Sequence, residues 1–413
     1  MLLNQLPHHV PSSEITLKRI AILSSSALLV FAVGVFVAWV TSPDPKYNPA
    51  SFEEVPLVER VAPFEDAITL AQYVEDEGPV RTILVLAFEG EAVTGVDLRE
   101  LGATNSSNPF EALATVEALP ITVEQAGAYP SIILPMDRLL PTGSIGSRHI
   151  GTGTNFPEHA EEANSTSVFG FPKFGKATPA RTTVRQQPGI LLDYEVELCM
   201  RFDRDIASIE DFEAAVKGVF LCGDFTNRNA IVELADPNNL DSGSGFSDAK
   251  SGPDFFPTGP FLVVPRDWQT FVAGLRMTTS LNNSNRQDAR GAEMTLNFRE
   301  LVAKSLGDMS ERRFLYQGGR DFLAKDGVIG EDMTIMSGTS EGTIFTGPTR
   351  GDMIEAVVRY ILNGGPLANL SFLESAKATF IENEQETSHF LTPGDTVRHG
   401  SSDLGNIVIE VTL

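Results

Sequence analysis

The hydrophobic pattern of the chain begins with one long apolar run. Residues Ile20–Val40 include no charged side chain. An α-helix rises about 1.5 Å per residue, so a run of about 20 apolar residues reaches across the roughly 30 Å hydrocarbon core of a bilayer. The run therefore predicts a transmembrane helix over residues 20–40.

The charges beside this run predict its orientation. Lys18 and Arg19 precede it, whereas acidic residues such as Glu53 follow it. Because basic residues stay on the cytoplasmic side, residues 1–19 are predicted to be a cytoplasmic tail and the rest to be exported, in a bacterium to the periplasmic face of the inner membrane. A cleaved signal peptide is the alternative, but its apolar core is normally only about 7–15 residues long. With the anchor retained, residues 41–61 form a proline-rich tether.

The next segment, residues 62–145, is predicted to be a small N-terminal domain. Val80–Phe88 is rich in aliphatic and β-branched residues and predicts a strand, and Phe110–Leu119 has the spacing of a short helix. The sequence of this segment contains no group of His, Asp and Glu residues at catalytic spacing. A packing or lid role is therefore favoured over a chemical one.

Residues 146–413, the predicted catalytic domain, show a different pattern, in which short β-type runs alternate with Gly- and Pro-containing turns. Two segments have helical periodicity: Ile209–Lys217, behind the candidate N-cap Ser208, and Ala292–Ser305. Because strands are many, helices few and regular β–α–β alternation is missing from the sequence pattern, a mixed α/β fold that is mainly β is favoured. The predicted strands are Leu191–Phe202, Gly218–Asp224, Gly259–Val264, Leu275–Ser280, Thr334–Gly338 and Ile407–Val411.

Composition narrows the range of partners. The 413-residue chain has 31 Lys and Arg against 55 Asp and Glu, which gives a formal net charge of −24. Such an acidic chain repels phosphate backbones, which argues against nucleic acid as a partner. The two cysteines, Cys199 and Cys222, are too few for a disulfide scaffold or a cysteine-rich zinc site.

Three carboxylates in the predicted strands are candidates for a metal site. Glu195 and Glu197 are two residues apart, so they project from the same face of a strand, and Asp224 ends another apolar run. Like charges on one face repel unless a cation lies between them, and oxygen ligands suit Mg²⁺, Mn²⁺ or Ca²⁺. Spacing alone favours the alternative, ordinary solvent-facing strand residues, because the Glu-x-Glu pattern is common.

A histidine and a glutamate are candidates for proton transfer. Pro157 suits the first turn of a helix, on which His159 and Glu162, three residues apart, would be neighbours. A carboxylate beside the imidazole orients it and raises its basicity, as a general base requires. A surface histidine among acidic residues is the alternative, and it is favoured when the pair is considered alone.

The order of these motifs along the chain resembles the fumarylacetoacetate hydrolase family. The resemblance extends from about Ile150 to the C-terminus, is weaker before it, and rests on the succession of motifs rather than on any one of them. In chain order the motifs are Asn155-Phe156-x-x-His159-x-x-Glu162, Asp193–Leu198, Gly223–Arg228, Lys250–Pro260, Asn285–Gln287, Ser337–Thr339 and Leu391–Asp395.

The resemblance implies a fold, a chemistry and roles for individual residues. It implies the family's mixed β-sandwich roll, usually as a homodimer, acting on β-diketo or 2-oxo acids with Mg²⁺ or Mn²⁺. By position, Glu195, Glu197 and Asp224 match metal ligands, and His159 and Glu162 match a pair that activates water or moves a proton. The other matched residues are Lys250, which meets substrate oxygens in the catalytic site, and Arg228, Gln287 and Thr339, which bind substrate.

Three functions are compatible with this resemblance. The leading hypothesis is a membrane-anchored, metal-dependent hydrolase that cleaves a C–C bond in an acid of the fumarylacetoacetate or acylpyruvate type. Decarboxylation, hydration or isomerisation of an oxo acid in the same site is the second hypothesis. A non-catalytic, membrane-tethered binding protein is the third, and retention of the metal, proton-transfer and lysine positions tells against it.

The chain also departs from the family pattern around the substrate. Asn155-Phe156 stands where the family has Asn-Tyr, which removes a hydroxyl, and Gly338-Thr339-Ser340 stands for Gly-Thr-Pro. After the metal-site Asp224, the family's Val-Ser-Ala-Arg is Phe225-Thr226-Asn227-Arg228, which keeps only the arginine. The metal set is intact while the substrate loops differ, so metal binding is better supported than any one substrate.

The two cysteines lie at matching distances from the carboxylates. Cys199 is two residues after Glu197, and Cys222 is two before Asp224. If the strands pair antiparallel with Glu197 opposite Asp224, Cys199 lies opposite Cys222, with Cα atoms about 4.5–5.5 Å apart. We therefore predict that the cysteines are close, with free buried thiols favoured over a disulfide because strand geometry limits the required dihedral angle.

Overall fold

The computed structural model describes residues 26, 29–75, 78–117, 119, 122–369 and 371–413. These residues divide into two compact units. The helical unit comprises the described residues up to 45 together with residues 348–383, and the sheet unit comprises residues 46–347 and 384–413.

The helices and strands of the described residues are as follows. The helices are α1 over residues 29–40, α2 Pro109–Ala114, α3 Val123–Ala126, α4 Pro157–Glu162, α5 Ile209–Ala214, α6 Arg228–Leu234, α7 Phe246–Lys250, α8 Trp268–Gly274, α9 Phe298–Gly307, α10 Arg350–Leu362 and α11 Phe372–Thr387. The strands are β1 Ala67–Val74, β2 Val80–Glu89, β3 Ala92–Asp97, β4 Ser131–Pro135, β5 Arg148–Gly153, β6 Phe169–Phe174, β7 Arg181–Arg185, β8 Leu192–Asp193, β9 Val196–Phe202, β10 Lys217–Gly223, β11 Thr226–Asn227, β12 Leu262–Pro265, β13 Arg276–Leu281, β14 Ser284–Arg290, β15 Phe314–Tyr316, β16 Gly319–Asp321, β17 Ile335–Met336, β18 Thr396–Ser401 and β19 Gly405–Thr412.

The helical unit contains α1, α10 and most of α11. The helix α10 begins behind Thr349, whose side chain accepts a hydrogen bond from the Asp352 backbone N–H in a capping box. On α1, Trp39 Nε1 donates to Glu355 Oε1 at 2.6 Å, and on α11, Asn383 Nδ2 donates to the same glutamate at 2.8 Å. Polar side chains of α10 therefore connect all three helices.

The sheet unit is built from two large sheets. A ten-stranded sheet has the order β4-β3-β2-β1-β12-β10-β9-β17-β5-β6, and a five-stranded sheet has the order β14-β13-β18-β19-β7. The central strands β9 and β10 of the ten-stranded sheet pack against β13, β18 and β19 of the five-stranded sheet. This confirms the mixed, mainly β fold that the sequence pattern predicts, and it buries β9 and β10 along their whole length.

The N-terminal strands share the large sheet with the strands that follow. β1 pairs antiparallel with β12, with Ala67 opposite Pro265, and β2, β3 and β4 continue the sheet outward. Beneath them lies an apolar cluster that includes Phe110 from α2 and Leu262 from β12. Burial of such apolar surface is the main force that holds these strands in place.

Every strand that the sequence pattern predicts overlaps a strand of the structure, but the predicted helix ends are misplaced. The predicted strand at Val80–Phe88 is β2, and Ser208 does cap α5, because its side chain accepts from Asp211 N. That helix ends at Ala214, earlier than predicted, since Lys217 already begins β10. Likewise α9 begins only at Phe298, behind the cap Asn297, rather than at residue 292.

The structure corrects the prediction of a transmembrane helix. Residues 20–25, 27 and 28 of that span, and the whole predicted tail at residues 1–19, lie outside the described residues. Within the described ranges, no helix combines the length and apolar character that crossing a membrane requires. The prediction of a single-pass membrane protein is therefore wrong.

The cysteine prediction is half right. Cys199 in β9 and Cys222 in β10 form a disulfide, with Cα atoms 6.0 Å apart, so the predicted proximity is confirmed and the preference for free thiols is wrong. The predicted register is also wrong, because Cys222 lies opposite Glu197 and Cys199 lies opposite Phe220. The disulfide therefore joins diagonal neighbours on the two strands rather than directly opposed residues.

Candidate functional site

The three predicted metal-binding carboxylates meet where β9 begins and β10 ends. Glu195 immediately precedes β9, Glu197 lies in it, and Asp224 immediately follows β10. The antiparallel pairing of the strands brings these ends together, and the Asp224 backbone N–H donates to the Glu195 carbonyl at 2.9 Å. One oxygen from each carboxylate lies within 4.8 Å of the others, and all three residues are buried.

Two buried lysines neutralise much of this negative charge. Lys250, the last residue of α7, places Nζ 2.6 Å from Glu195 Oε2 and 2.8 Å from Asp224 Oδ2. Lys173 in β6 donates from Nζ to Asp224 Oδ1 at 2.6 Å, and also to the Lys250 carbonyl. The sequence prediction included Lys250 and missed Lys173, whose one signal is a single charge inside the apolar run Phe169–Phe174.

Arg228, a predicted substrate-binding residue, instead bridges two carboxylates. It is the first residue of α6, and its Nη2 lies 2.8 Å from Glu195 Oε1 while its Nε donates to Asp193 Oδ2 at 2.8 Å. Asp193 also accepts from the backbone N–H groups of Ile344 and Phe345. Arg228 therefore orients Glu195, and its contact with substrate stays a prediction.

The carboxylates of the site differ in their affinity for a proton. Burial raises the pKa of Glu195, but the positive charges of Lys250 and Arg228 outweigh burial and lower that pKa to about 2. Burial and then the negative charge of Asp224 raise the pKa of Glu197 well above its usual range. Glu195 is thus strongly stabilised as an anion, whereas the positive charge of Lys250 does not offset burial and Asp224 at Glu197.

This difference is a test of whether a cation fits. Glu197 Oε2 accepts from the Gly338 backbone N–H at 2.8 Å, but Glu197 Oε1 is buried without a hydrogen-bond partner. An unpaired buried carboxylate oxygen is costly, and a divalent cation would satisfy it. Three carboxylates with no nitrogen or sulfur ligand among them are the donor set that Mg²⁺, Mn²⁺ or Ca²⁺ prefers. Glu195, Glu197 and Asp224 therefore fit such an ion.

Replacing Glu197 with glutamine is expected to weaken Mn²⁺ binding by about tenfold or more, on the order of 1.4 kcal/mol, because an anionic ligand becomes neutral. Isothermal calorimetry on the purified chain measures this affinity. Glu341→Gln, which removes another buried carboxylate outside the triad, is the matched control and should bind Mn²⁺ as the wild type does. Equal affinity in both variants would contradict the assignment of Glu197.

The predicted proton-transfer pair is formed on α4. Pro157 is the first residue of this helix, as expected, and His159 Nδ1 lies 2.9 Å from Glu162 Oε2. Glu162 Oε1 accepts from the Gly342 backbone N–H at 3.1 Å. A positive charge on His159 would also lower the pKa of Glu195, so the imidazole lies within electrostatic range of that carboxylate. With Nδ1 engaged by Glu162, Nε2 is the ring nitrogen left to exchange a proton.

Gln287 and Thr339 join the site to the loop that follows β17. Gln287 Nε2 donates to Thr339 Oγ1 at 2.9 Å, and its Oε1 accepts from the Val196 backbone N–H at 3.2 Å. Thr339 Oγ1 donates to the Val196 carbonyl at 2.8 Å. Both side chains are buried and hold the loop against β9, and their predicted role as substrate ligands stays a prediction.

The loop needs glycine at Gly338. This residue has φ = 80°, a left-handed conformation that costs little only for glycine. It directs its backbone N–H at Glu197, and an added Cβ would lie 3.1 Å from the Thr152 carbonyl. The glycine of the predicted Gly-Thr motif is thus required by backbone geometry, independently of any substrate.

Known proteins share this fold. The chain is similar to the structure of 2-hydroxyhepta-2,4-diene-1,7-dioate isomerase from Mycobacterium marinum, with a TM-score of 0.50 and 16% identity over 84% of this chain and 98% of that one. It is also similar to 5-carboxymethyl-2-hydroxymuconate delta-isomerase from Mycobacterium smegmatis, with a TM-score of 0.50 and 15% identity over 84% of this chain and 99% of that one. No curated protein matches the chain.

The sequence itself matches a family model. Residues 148–412 match the model of the fumarylacetoacetate (FAA) hydrolase C-terminal domain. This match spans more than half of the chain and contains every carboxylate and lysine of the site, including those that the motif order pointed to. The chain therefore belongs to the fumarylacetoacetate hydrolase family.

Proposed function

We propose that this chain is a metal-dependent hydrolase that cleaves a C–C bond in a β-diketo or 2-oxo acid, of the fumarylacetoacetate or acylpyruvate type. The proposal rests on one observation, a buried cluster of three carboxylates in which Lys250 forms ion pairs. The carboxylates are Glu195, Glu197 and Asp224, and the chain also forms the predicted His159–Glu162 pair. Membership in the family supports the substrate class. A homodimer and the identity of the divalent ion stay predictions.

The charged residues suit an anionic, oxygen-rich substrate. A divalent cation held by the three carboxylates would polarise a 2-oxo group and stabilise the enolate that forms when the bond breaks. Lys250 provides a fixed positive charge at the same place, because both Glu195 and Asp224 hold its Nζ. Preorganised charge of this kind is usually the largest contribution to catalysis.

The His159–Glu162 pair supplies the base. With Glu162 Oε2 accepting a hydrogen bond from the Nδ1–H of His159, Nε2 of the ring would remove a proton from water. The hydroxide adds to the carbonyl carbon that is distal to the carboxylate of the oxo acid. The bond between this carbon and the carbon that lies between the two carbonyl groups then breaks. One fragment leaves as a carboxylic acid, and the other leaves as an enolate that takes up a proton to give a methyl or methylene ketone.

Isomerisation of an oxo acid is the second candidate. The two structures of similar fold are described as a 2-hydroxyhepta-2,4-diene-1,7-dioate isomerase and a 5-carboxymethyl-2-hydroxymuconate delta-isomerase. The same residues would support this reaction, since His159 can move a proton between carbon atoms of an enolate without adding water. The two candidates differ in whether an oxygen atom of water enters the product.

The test uses the purified full chain with Mg²⁺ or Mn²⁺ and a panel of acylpyruvates, fumarylacetoacetate, oxaloacetate and 2-hydroxyhepta-2,4-diene-1,7-dioate in H₂¹⁸O. We expect an acylpyruvate or fumarylacetoacetate to yield two products by NMR, with ¹⁸O in the new carboxylate. An isomer without ¹⁸O would favour the second candidate, and CO₂ release from oxaloacetate alone would favour decarboxylation. The Glu197→Gln variant controls for contaminating activity, and no turnover of any compound would contradict the proposal.

A further inference from the structure

The segment at residues 46–60, here called the strap, lies outside the part of the chain that matches the family model. It has neither helix nor strand, yet it bonds to the loop at residues 337–345, here called the site loop. The Asn48 backbone N–H donates to the Thr343 carbonyl at 3.1 Å, and Asn48 Nδ2 donates to the Phe345 carbonyl at 2.6 Å. The Ser51 backbone N–H donates to Glu341 Oε1 at 3.2 Å.

The other side of the site loop is bonded to the candidate catalytic residues. The Gly342 backbone N–H donates to Glu162 Oε1 at 3.1 Å, and the Tyr194 hydroxyl donates to the Gly342 carbonyl at 3.2 Å. Thr339 bonds to the backbone of Val196, between two of the carboxylates. The loop therefore lies between the strap and the site, with hydrogen bonds on both sides.

Gly342 has little room to adjust. Its φ is 92°, and an added Cβ would lie 2.0 Å from the Arg286 carbonyl and 2.9 Å from the Ala50 side chain of the strap. Such close packing means that a displacement of Thr343 or Phe345 also moves the Gly342 N–H that Glu162 accepts. The contacts of Asn48 with the loop are thus mechanically connected to the proton-transfer pair.

The strap is also held in place by contacts away from the site loop. It bonds to four strands of the five-stranded sheet and to the turn between β18 and β19. The contacts are Glu53 N to Asp288 Oδ2 at 2.8 Å, the Val55 carbonyl to Arg276 at 2.6 Å, Glu59 to Arg398 and Asn406, and Arg60 to Asp403 at 2.7 Å. The strap is therefore anchored independently of the site loop and can act as a fixed support for it.

We propose that Asn48 is a positioning residue for the reaction. It holds the site loop so that the Gly342 N–H stays on Glu162 and Glu162 stays on His159, and this inference rests on the proposed function. Its side-chain amide donates to the Phe345 carbonyl and also lies 3.3 Å from both the carbonyl and the hydroxyl oxygen of Thr343. A general base loses efficiency steeply when it is displaced, with errors of about 1 Å costing on the order of 10²-fold in rate.

The experiment compares Asn48→Ala and Asn48→Asp with the wild type. Both variants keep the backbone hydrogen bond from Asn48 to Thr343 and remove the side-chain donor, and the aspartate keeps the size of the side chain. We expect kcat to fall about tenfold in both while the KM and the Mn²⁺ affinity and stoichiometry are unchanged. Glu54→Ala, at an exposed strap residue, is the matched control and should keep the wild-type kcat.

A second measurement does not depend on turnover. We expect amide hydrogen exchange at Gly342 to become faster in both Asn48 variants, because the loop that carries this N–H is released. Unchanged exchange, or faster exchange with an unchanged kcat, would overturn the positioning role. If the wild type turns over none of the oxo acids, faster exchange would still show that Asn48 holds the site loop in place. In that case only the proposed function fails.

Discussion

Replacing His159 with alanine is expected to lower kcat by about 10²–10⁴-fold, the usual contribution of a general base. The physical reason is the geometry of the pair: Glu162 binds Nδ1 at 2.9 Å and leaves Nε2 to take a proton from water. The ion would be held by Glu195, Glu197 and Asp224 and not by His159, so Mn²⁺ affinity should remain that of the wild type. Steady-state kinetics on the active oxo acid and calorimetry measure the two quantities.

The chain offers a matched control for this variant. His389 is a partly buried histidine that also faces a glutamate, with Nδ1 3.5 Å from Glu384 Oε2, but it lies outside the candidate site. His389→Ala should therefore keep the wild-type kcat. A parallel loss of kcat and Mn²⁺ binding in His159→Ala would mean that His159 ligates the ion and is not the base.

Loss of the disulfide is expected to lower the free energy of unfolding by about 3 kcal/mol. The bond joins residues 23 positions apart, and closing a loop of that length in the unfolded chain accounts for roughly this amount in the chain-entropy treatment. Cys199→Ala with Cys222→Ala removes the bond, and urea unfolding followed by fluorescence or circular dichroism measures the change.

Reduction of the wild-type chain separates the bond from side-chain packing. Both cysteines are fully buried, so a dithiol reagent reaches them only after unfolding, and the reduced chain keeps both sulfur atoms in the core. Unfolding of the reduced wild type should show most of the 3 kcal/mol loss, and the double variant should lose somewhat more because cavities remain. Equal stability of oxidised and reduced chains would contradict the expected contribution.

The central strands and the carboxylate triad were predictable for a simple reason. β9 and β10 are buried on both faces, so they read as continuous apolar runs in which Glu195, Glu197 and Asp224 are conspicuous. Alternation along a strand then puts Glu195 and Glu197 on the same side. The spacing of residues within each run could not indicate that the two runs are neighbours. The family resemblance that the order of motifs carries did indicate it.

Register and partners could not be predicted in the same way. Shifting a strand pair by two residues leaves every side chain on its original face, so the pattern does not distinguish Glu197 opposite Asp224 from Glu197 opposite Cys222. Lys173 was missed because its role arises only when β6 and α7 pack together and bring it to Asp224. No local periodicity records such a contact.

The helical unit was the least predictable part. Along α11, Phe372–Thr387, apolar residues at helical spacing are few and end at Ile381, so the apolar stripe that would indicate a helix is weak. The apolar run at residues 20–40 gave the opposite error. Hydropathy reports only that these residues avoid water, and it does not report whether they form a helix that crosses a membrane.

The strap also sets the order in which the molecule can be completed. Asn48 and its hydrogen-bond acceptor Thr343 are 295 residues apart in the chain. Synthesis proceeds from the N-terminus at about 10 residues per second, so the strap emerges roughly half a minute before the loop that it supports. During that time neither Glu341 nor Thr343 exists for it to bind. The support of the His159–Glu162 pair can therefore form only after Phe345 has been made, although the strap that provides it is made long before.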